Sequence, residues 1–345
     1  MLTEHSFDFG RLFVLLSDKE IEVKNIIYAD SFDRVELPSA ADGESRMFIV
    51  TGNTETDNSE IFGNENNEDF AVNGNDVYVK MPTLDENLLR TKIIPRISSA
   101  NKISCNNVII KTYGKSRDEL EEMLADCMKN RNKITFGFYE NEVGYDVRIR
   151  YPKTAQSVAV NDVITKAGEI LSECTYALKD ISLAKCVARA VLASGKHIAV
   201  AESFTGGGIA SALTSVPGMS KSLIESVVCY SHESKIARLG VPESVINEFG
   251  AVSADTAFEM ANGLLMNPSC DVAVATTGNA GPTAENDEVG LFFIAIGDRD
   301  AIHVFKHNHN VKNPDEKSVG EIRREITEAG INTALFELGK FLKRT

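Results

Sequence analysis

The sequence predicts an α/β protein whose carboxy-terminal part is a layered α/β/α domain. Three observations support this prediction. From residue 197 onward, short β-type runs alternate with helical patterns, which is the order of a sheet covered by helices. The run DVAVA (271–275) is typical of an inner strand. Glycine-rich turns also stand where strands give way to helices, as in AESFTGGG (201–208).

Upstream of this domain, two smaller regions differ in pattern. Residues 1–104 contain short β-type runs (RLFVLL, MFIVTG, DVYVKM) separated by polar segments, of which the segment 53–69 is poor enough in apolar residues to predict a loop. Residues 105–155 predict a strand, a helix at 116–130 and two alternating strands that form an antiparallel hairpin. We therefore expect a reduced α/β domain followed by a small α+β domain.

Residues 156–345 form the third predicted domain. It begins with two helical patterns (160–180 and 182–195), the second of which ends at Gly195, a good helix stop. Predicted strands then follow at HIAVA, SLIESVVCYS, DVAVATTG, VGLFFIAIG and HVFKHNH. The helical patterns between and after them are GGIASALTSV, ADTAFEMANGLLM and a long segment from about residue 315.

Composition and charge exclude several classes of protein. The 345 residues carry a net charge of −14, which disfavours nucleic-acid and acidic-membrane binding but allows a small anion in a local positive pocket. The six cysteines form no C-x-x-C pair and no cluster with the six histidines, so we expect neither disulfides nor a metal site. We expect a cytoplasmic protein, since the first residues resemble no signal peptide. We also expect no cofactor.

The turn AESFTGGG combines hydroxyl side chains with glycines, whose backbone N–H groups are not covered by side chains. Its N–H groups at the start of a helix are suited to a phosphate or a developing oxyanion. Ser203 and Thr205 are also good helix N-cap residues. Both interpretations are open for Ser203, Thr205 and the glycines Gly206, Gly207 and Gly208.

Two further turns follow predicted strands. CYSHESK (229–235) presents Tyr230, His232 and Lys235 together, and an amine close to a serine hydroxyl can act as its general base. The alternative is a solvated Lys235, a core Tyr230 and an exposed His232. In TTGNAGP (276–282), hydroxyls and glycines at the carboxyl end of an inner strand suit a ligand, the alternative being a plain loop.

These three turns, in this order, resemble the carboxy-terminal domain of the CinA family, the nicotinamide-nucleotide amidohydrolases. The likeness covers about 150 residues of the chain. The matched segments are AESFTGG, TSVPGMS, YSHESK, LGVPE, FGAVSADTAFEMANG and TTGNAGP, with VG (289–290) and the pair Arg323–Arg324 completing the set.

The resemblance implies hydrolysis of nicotinamide mononucleotide to nicotinate mononucleotide and ammonia. By position it assigns Ser203 as nucleophile, Lys235 as base and Tyr230 as an assisting residue. It also implies a homodimer or larger oligomer and no metal. The residues expected at the substrate are Thr205, Gly206, Gly207, Gly208, Thr277, Gly278, Asn279 and Arg323, with Arg324 as an alternative to Arg323.

Four departures from the family pattern concern the fit of the substrate. Phe204 replaces a cysteine, His232 replaces an asparagine, and Asn279 stands where isoleucine is common. The loop 283–288 (TAENDE) is short and lacks the usual lysine before VG. Phe204 and His232, either of which could narrow the pocket, motivate a second hypothesis, in which the fold serves as a scaffold that binds a partner without catalysis. A serine amidase acting on another amide is a further alternative.

Upstream, the resemblance extends to the KH-like middle domain of long CinA proteins and to their molybdopterin-binding-type domain. FIVTGNTETDN (48–58) resembles the ligand-binding turn of the latter. Much of that domain is missing, so we expect a shortened domain without the ADP-ribose pyrophosphatase activity of the family. The middle domain has no G-x-x-G loop between helices, and we expect no nucleic-acid binding there.

Overall fold

The computed structural model describes a defined set of residues. These are Leu12, Leu16, and residues 46–50, 70–73, 76–81, 85–95, 105–129, 134–152, 155, 157–281, 288–311 and 313–344. The predicted loop at 53–69, most of the turn at 48–58 and most of the segment 283–288 lie outside this set. The chain divides into two compact units, Met1–Lys179 and Asp180–Thr345, and each is described by itself.

The first unit contains two sheets. The amino-terminal sheet has three strands, β1 (Arg46–Val50), β2 (Phe70–Asn73) and β3 (Asp76–Lys80). The order is β1-β3-β2, with β1 parallel and β2 antiparallel to β3. A short helix α1 (Glu86–Leu88) follows and continues as a π-helical turn over Leu89–Ile93.

The second sheet of this unit matches the predicted α+β region. Strand β4 (Cys105–Thr112) precedes helices α2 (Arg117–Met123) and α3 (Ala125–Met128) and the hairpin β5 (Thr135–Asn141) and β6 (Gly144–Pro152). Helix α4 (Ser157–Ile170) and strand β7 (Thr175–Ala177) complete an antiparallel sheet in the order β5-β6-β4-β7. Apolar residues of α2, α3 and α4 pack on one face of the sheet as a single core.

The second unit begins with helix α5 (Leu183–Ser194), strand β8 (Ile198–Glu202) and helix α6 (Gly208–Thr214). Strand β9 (Leu223–Val228) leads to helices α7 (His232–Leu239), α8 (Glu243–Phe249) and α9 (Ala254–Leu265). Strands β10 (Val272–Gly278), β11 (Leu291–Gly297) and β12 (Ile302–Asn308) follow, and helix α10 (Val319–Arg344) ends the unit.

These strands form one sheet in the order β12-β11-β10-β8-β9. Strands β9, β8 and β10 are parallel, and β11 and β12 continue the sheet antiparallel. Alanines such as Ala199 and Ala273 face helix α9 in a core that also includes Met260 and Leu264. Because side chains alternate along a strand, Val200 and Val274 face the opposite side, where α5, α6 and α10 pack. The sheet is therefore covered on both faces, as the layered α/β/α prediction requires.

In the described parts of the chain from residue 105 onward, the predicted strands and helices occur in the predicted order. The helix predicted over 160–180 is wrong in its second half, because α4 ends at Ile170 and strand β7 (Thr175–Ala177) follows. Gly195 ends α5 in the left-handed region, with a φ of 67°. Helix α4 packs with the middle sheet, so the division at Lys179/Asp180 lies downstream of the predicted boundary at 155/156. Among the described residues, no helix has both the length and the apolar character needed to cross a membrane.

Candidate active site

A cleft lies at the carboxyl ends of the three parallel strands of the second unit. Ser203 directly follows β8, Tyr230 follows β9, and Thr277 and Gly278 end β10. Parallel strands bring their carboxyl ends to the same edge of a sheet, where open α/β folds bind ligands. The cleft encloses about 260 Å³. Its described lining is Ser203, Phe204, Tyr230, His232, Lys235, Ala251, Val252, Thr277, Gly278, Asn279, Ala280, Gly281 and Arg323.

Ser203 and Lys235, which are 32 residues apart in sequence, meet in this cleft. Lys235 Nζ lies 3.1 Å from Ser203 Oγ, and the lysine is only 2% exposed. The amine also donates to the carbonyls of Cys229 at 3.1 Å and Tyr230 at 3.5 Å. A solvated Lys235 is therefore the wrong interpretation. The pair has the geometry of a nucleophile beside a general base.

Helix α7 carries Lys235, and a specific residue fixes each end of this helix. The Ser231 hydroxyl accepts a hydrogen bond from the Ser234 N–H at 3.2 Å and caps the helix. Gly240 ends the helix in the left-handed region, with a φ of 68°. Lys235 lies in the first turn, so its side chain extends toward the end of β8 rather than toward solvent.

The glycine-rich turn is organised around Glu202, whose side chain is fully buried. The Glu202 carboxylate accepts hydrogen bonds from the N–H groups of Gly207 at 3.0 Å, Ile209 at 3.1 Å and Ala210 at 3.0 Å. Gly206 and Gly207 have φ values of 60° and 96°, which favour glycine and turn these N–H groups inward. A carboxylate inside the protein thus occupies the helix N-terminus where an external anion was expected.

Two further N–H groups of this turn bond carbonyls within it. The Gly206 N–H donates to the Ser203 carbonyl, and the Gly208 N–H donates to the Thr205 carbonyl. The Thr205 hydroxyl lies 2.9 Å from the Thr276 hydroxyl inside the core. Thr205 and Gly206–Gly208 are absent from the described cleft lining. The N-cap of α6 is Gly207, without a side-chain cap, so neither interpretation of this turn gave its structural role.

The turn after β10 lines the cleft as predicted, but most of its polar groups bond within the protein. The Thr277 hydroxyl donates to the Ala251 carbonyl at 2.6 Å. The Asn279 N–H donates to the Leu291 carbonyl, and the Asn279 carbonyl accepts from Gly290, both at 2.8 Å. A Cβ on Gly278 would overlap Phe292. In the described part of this turn, the buried Asn279 Nδ2 has no hydrogen-bond partner.

Tyr230 and Arg323 meet at the mouth of the cleft. Tyr230 is 59% exposed, so the prediction of a core aromatic is wrong. Its hydroxyl accepts a hydrogen bond from Arg323 Nη2, while Arg323 Nη1 donates to the Gly281 carbonyl at 2.6 Å. Arg323 rather than Arg324 therefore lines the cleft.

The start of α10, which carries Arg323, is held by two sets of contacts. Ser318 and Glu321 bond each other's backbone N–H groups, at 2.7 and 3.3 Å, as a capping box. Glu325 bonds both Lys317 and His309. Burial opposes ionisation of Glu325, but these two hydrogen bonds outweigh it and hold the pKa of its carboxyl below the usual range. Together these contacts fix the turns on either side of Arg323.

The first two departures from the family pattern differ in burial: Phe204 is buried and His232 is exposed. Phe204 is 5% exposed and its ring stacks on Phe292 at 5.4 Å. Its edge approaches Gly330 so closely that a Cβ there would overlap the ring. His232 is exposed at the first position of α7. Phe204 therefore packs largely into the core, and His232 lies at the rim of the cleft.

A larger cavity of about 380 Å³ lies at the opposite end of the strands, beside the residues that precede β8 and β10. It is lined by Gly195, Lys196, Asp271, Asp298, Arg299 and Asp300. Arg299 bonds the carbonyls of Asn267 and Pro268 there. This lining contains no serine, so the Ser203 cleft is the stronger candidate. In the described parts of the chain, no group of histidine, cysteine and acidic side chains is arranged to hold a metal ion.

Sequence reasoning missed the role of Glu202. The signal was present, because an acidic residue that ends a strand immediately before a glycine-rich helix start is suited to bond the exposed N–H groups. The sequence could not show which anion the turn accepts.

The fold and the cleft define a class: a three-layer α/β domain with a buried serine–lysine pair at the carboxyl ends of its parallel strands. Residues 180–338 match the family described as the CinA C-terminal domain. A CinA-like protein of Endomicrobium trichonymphae is 32% identical over 240 residues, covering 66% of this chain and 54% of that protein. A CinA-like protein of Kosmotoga olearia is 30% identical over 216 residues, covering 61% and 52%.

The chain spans about half the length of the curated relatives that it matches. Among solved structures, a CinA superfamily protein from Klebsiella pneumoniae is 28% identical, with a TM-score of 0.43. That match covers 47% of this chain and 97% of the other.

Proposed function

We propose that the cleft of the second unit hydrolyses the carboxamide of nicotinamide mononucleotide to nicotinate mononucleotide and ammonia. The observation that carries the proposal is the buried contact of 3.1 Å between Ser203 Oγ and Lys235 Nζ at the base of an open cleft. The resemblance to the nicotinamide-nucleotide amidohydrolases of the CinA family supplies the substrate.

In the proposed reaction Lys235 acts as a neutral amine that accepts a proton. Its Nζ lies within hydrogen-bond distance of Ser203 Oγ and of the carbonyls of Cys229 and Tyr230, and the lone pair of a neutral amine at this position can accept the proton of the Ser203 hydroxyl. Ser203 then attacks the amide carbon while its proton passes to Lys235.

The remaining steps of the proposed hydrolysis require neither a metal ion nor a cofactor. The tetrahedral intermediate collapses, the C–N bond breaks, and the lysine returns the proton to the departing nitrogen, which leaves as ammonia. Water, deprotonated by the same amine, attacks the Ser203 ester. The C–O bond to serine breaks, nicotinate mononucleotide leaves, and the serine recovers its proton.

The charge of the cleft favours an anionic substrate. The protein has a net charge of −14, yet the described lining contains the guanidinium of Arg323 and no acidic residue. Local positive charge of this kind concentrates an anion despite the overall charge. Since the N–H groups of the glycine turn bond Glu202 and nearby carbonyls, we assign the phosphate to Arg323.

The proposal is tested by ammonia release from nicotinamide mononucleotide with the purified full chain. Ser203→Ala and Lys235→Met should each lower kcat at least about 1,000-fold, because each removes one member of a pair that acts as a unit. Ser220→Ala, at an exposed serine, is the matched control and should keep full activity. Undiminished turnover by Ser203→Ala would exclude a serine nucleophile.

A second candidate function is binding without catalysis, which the departures at His232 and Asn279 in the cleft favour. In that case the folded protein would bind nicotinamide mononucleotide or a partner and release no ammonia even at high protein concentration. Incubation with ADP-ribose and a divalent metal tests the pyrophosphatase of the family, and we expect no turnover. Light scattering with size exclusion tests the homodimer that the resemblance implies.

A further inference from the structure

Tyr230 has a different set of partners from the one expected of a residue that assists the serine. Its hydroxyl bonds Arg323, and its backbone carbonyl, not its side chain, approaches Lys235 at 3.5 Å. The ring is 59% exposed at the mouth of the cleft, whereas Ser203 is only 7% exposed. The phenol is therefore placed at the outer end of the cleft.

Arg323 connects three separate elements at this outer end. The residue lies on α10, and its guanidinium donates to the Tyr230 hydroxyl beyond β9 and to the Gly281 carbonyl beyond β10. Two hydrogen bonds to different elements fix the plane of a guanidinium. The tyrosine hydroxyl is one of the two groups that orient Arg323 across the cleft.

The direction of the hydrogen bond between Arg323 and Tyr230 determines which donor groups of these two side chains are left for a ligand. The Tyr230 oxygen accepts from Arg323, so the hydroxyl hydrogen can be donated to another acceptor. A guanidinium has five N–H groups, and the two bonds to Tyr230 and Gly281 leave further N–H groups for a ligand. Two donors side by side, one of them charged, are suited to the oxygens of a phosphate or carboxylate.

We propose that Tyr230 is an anion-binding residue that also positions Arg323, and that it does not relay the serine proton. The Tyr230 hydroxyl and the Arg323 guanidinium together bind the anionic group of the ligand at the mouth of the cleft. The identity of that group as the phosphate of nicotinamide mononucleotide rests on the proposed function.

The experiment compares Tyr230→Phe with the natural protein on two substrates that share one carboxamide. Nicotinamide mononucleotide has the phosphate and nicotinamide riboside lacks it. Anion binding predicts that KM for the mononucleotide rises about tenfold, the effect of one lost hydrogen bond to a charged group. It predicts a kcat within about twofold of the natural protein and an unchanged KM for the riboside. A fall in kcat of similar size on both substrates, with KM unchanged, would identify a proton relay and overturn the inference.

Matched variants distinguish a specific effect on the anion-binding subsite, formed by Tyr230 and Arg323, from a general effect of mutation on the fold. Arg323→Gln should show the same pattern as Tyr230→Phe, and the double variant should lose less than the two single effects combined, because the two side chains act on one group. Arg324→Gln on the same helix and Tyr151→Phe in the first unit should leave both substrates unaffected. Fully additive losses from Tyr230→Phe and Arg323→Gln would count against a shared subsite.

Binding measured without turnover distinguishes this inference from the proposed function. Isothermal titration of Ser203→Ala with nicotinamide mononucleotide, with and without Tyr230→Phe, reports the subsite alone. An affinity that Tyr230→Phe lowers about tenfold supports the subsite even if the natural protein releases no ammonia, which would refute only the hydrolase. No binding of the mononucleotide, or binding that Tyr230→Phe leaves unchanged, overturns the inference even if the natural protein is an active hydrolase.

Discussion

Replacement of Glu202 by glutamine tests whether the buried carboxylate organises the turn that presents Ser203. One Glu202 oxygen accepts from Gly207 and Ile209, and the other accepts from Ala210, all at 3.0–3.1 Å. A glutamine can place its single oxygen opposite Gly207 and Ile209. Its NH₂ group then faces the Ala210 N–H, so a donor meets a donor and one hydrogen bond is lost.

The expected cost follows from these three bonds. Loss of one hydrogen bond to a charged group costs about 1.5–3 kcal/mol, and the two that remain weaken because a neutral acceptor replaces an ionised one. We therefore expect Glu202→Gln to destabilise the second unit by about 3 kcal/mol. For a unit of this size that lowers Tm by about 6–12 °C. Because Ser203 is the next residue, we also expect kcat/KM for nicotinamide mononucleotide to fall at least about tenfold.

Two measurements on the full chain report the effect of Glu202→Gln on stability and on the turn. Differential scanning calorimetry gives the shift in Tm, and hydrogen exchange read by mass spectrometry gives the protection of the amides at 207–210. The matched control is Glu243→Gln, since Glu243 lies in the first turn of α8 but is exposed. Its loss should cost less than about 1 kcal/mol. If Glu202→Gln has the Tm and amide protection of Glu243→Gln, the carboxylate does not hold the turn.

Two further predictions concern the core beneath the cleft. Gly330→Ala should destabilise the second unit by about 1–3 kcal/mol, because its methyl group would overlap the Phe204 ring. Gly320→Ala in the same helix, where a Cβ meets no other atom within 4 Å, should be neutral or stabilising; equal Tm values for the two variants would contradict this account of Phe204. Burial lowers the pKa of His307, whose ring stacks on Phe292. The unfolded chain therefore binds a proton that the folded state does not, and stability should fall as the pH drops below the ordinary histidine value of about 6.5. Thermal unfolding at pH 7.5 and 5.5 should show a smaller decrease in Tm for His307→Phe than for the natural protein, and an equal decrease would exclude His307 as the source.

The strand and helix order of the second unit could be predicted because each element has its own local signal. Apolar runs such as VAVA (272–275) occupy the centre of the sheet, and Gly195 ends α5 because only a residue that tolerates a positive φ fits there. The boundary of the first unit lacked such a signal. Helix α4 has an apolar face that would suit either neighbouring sheet, and only packing decides that it joins the core with Leu120 and Val147.

The sequence predicted which residues form the candidate site better than it predicted their hydrogen-bond partners. The sequence brought Ser203, Lys235 and Arg323 to one site through the resemblance, and the structure places all three in one cleft. Hydrogen-bond partners depend on side-chain direction, which a motif does not encode. Tyr230 thus lies in the predicted cleft but bonds Arg323, and Thr277 lines it but bonds the Ala251 carbonyl.

The position of Glu202 determines which groups can attract an anion to the cleft. A helix N-terminus that pointed into the cleft would add its own positive field there. Instead its N–H groups bond a buried carboxylate, so the positive end of α6 is neutralised inside the protein and contributes to structure. The attraction of the cleft for an anion then depends on side chains, Lys235 at the base and Arg323 at the mouth. Since the proposed proton transfer requires a neutral Lys235, the proposed function leaves Arg323 and its partner Tyr230 as the groups on which discrimination for an anionic ligand depends.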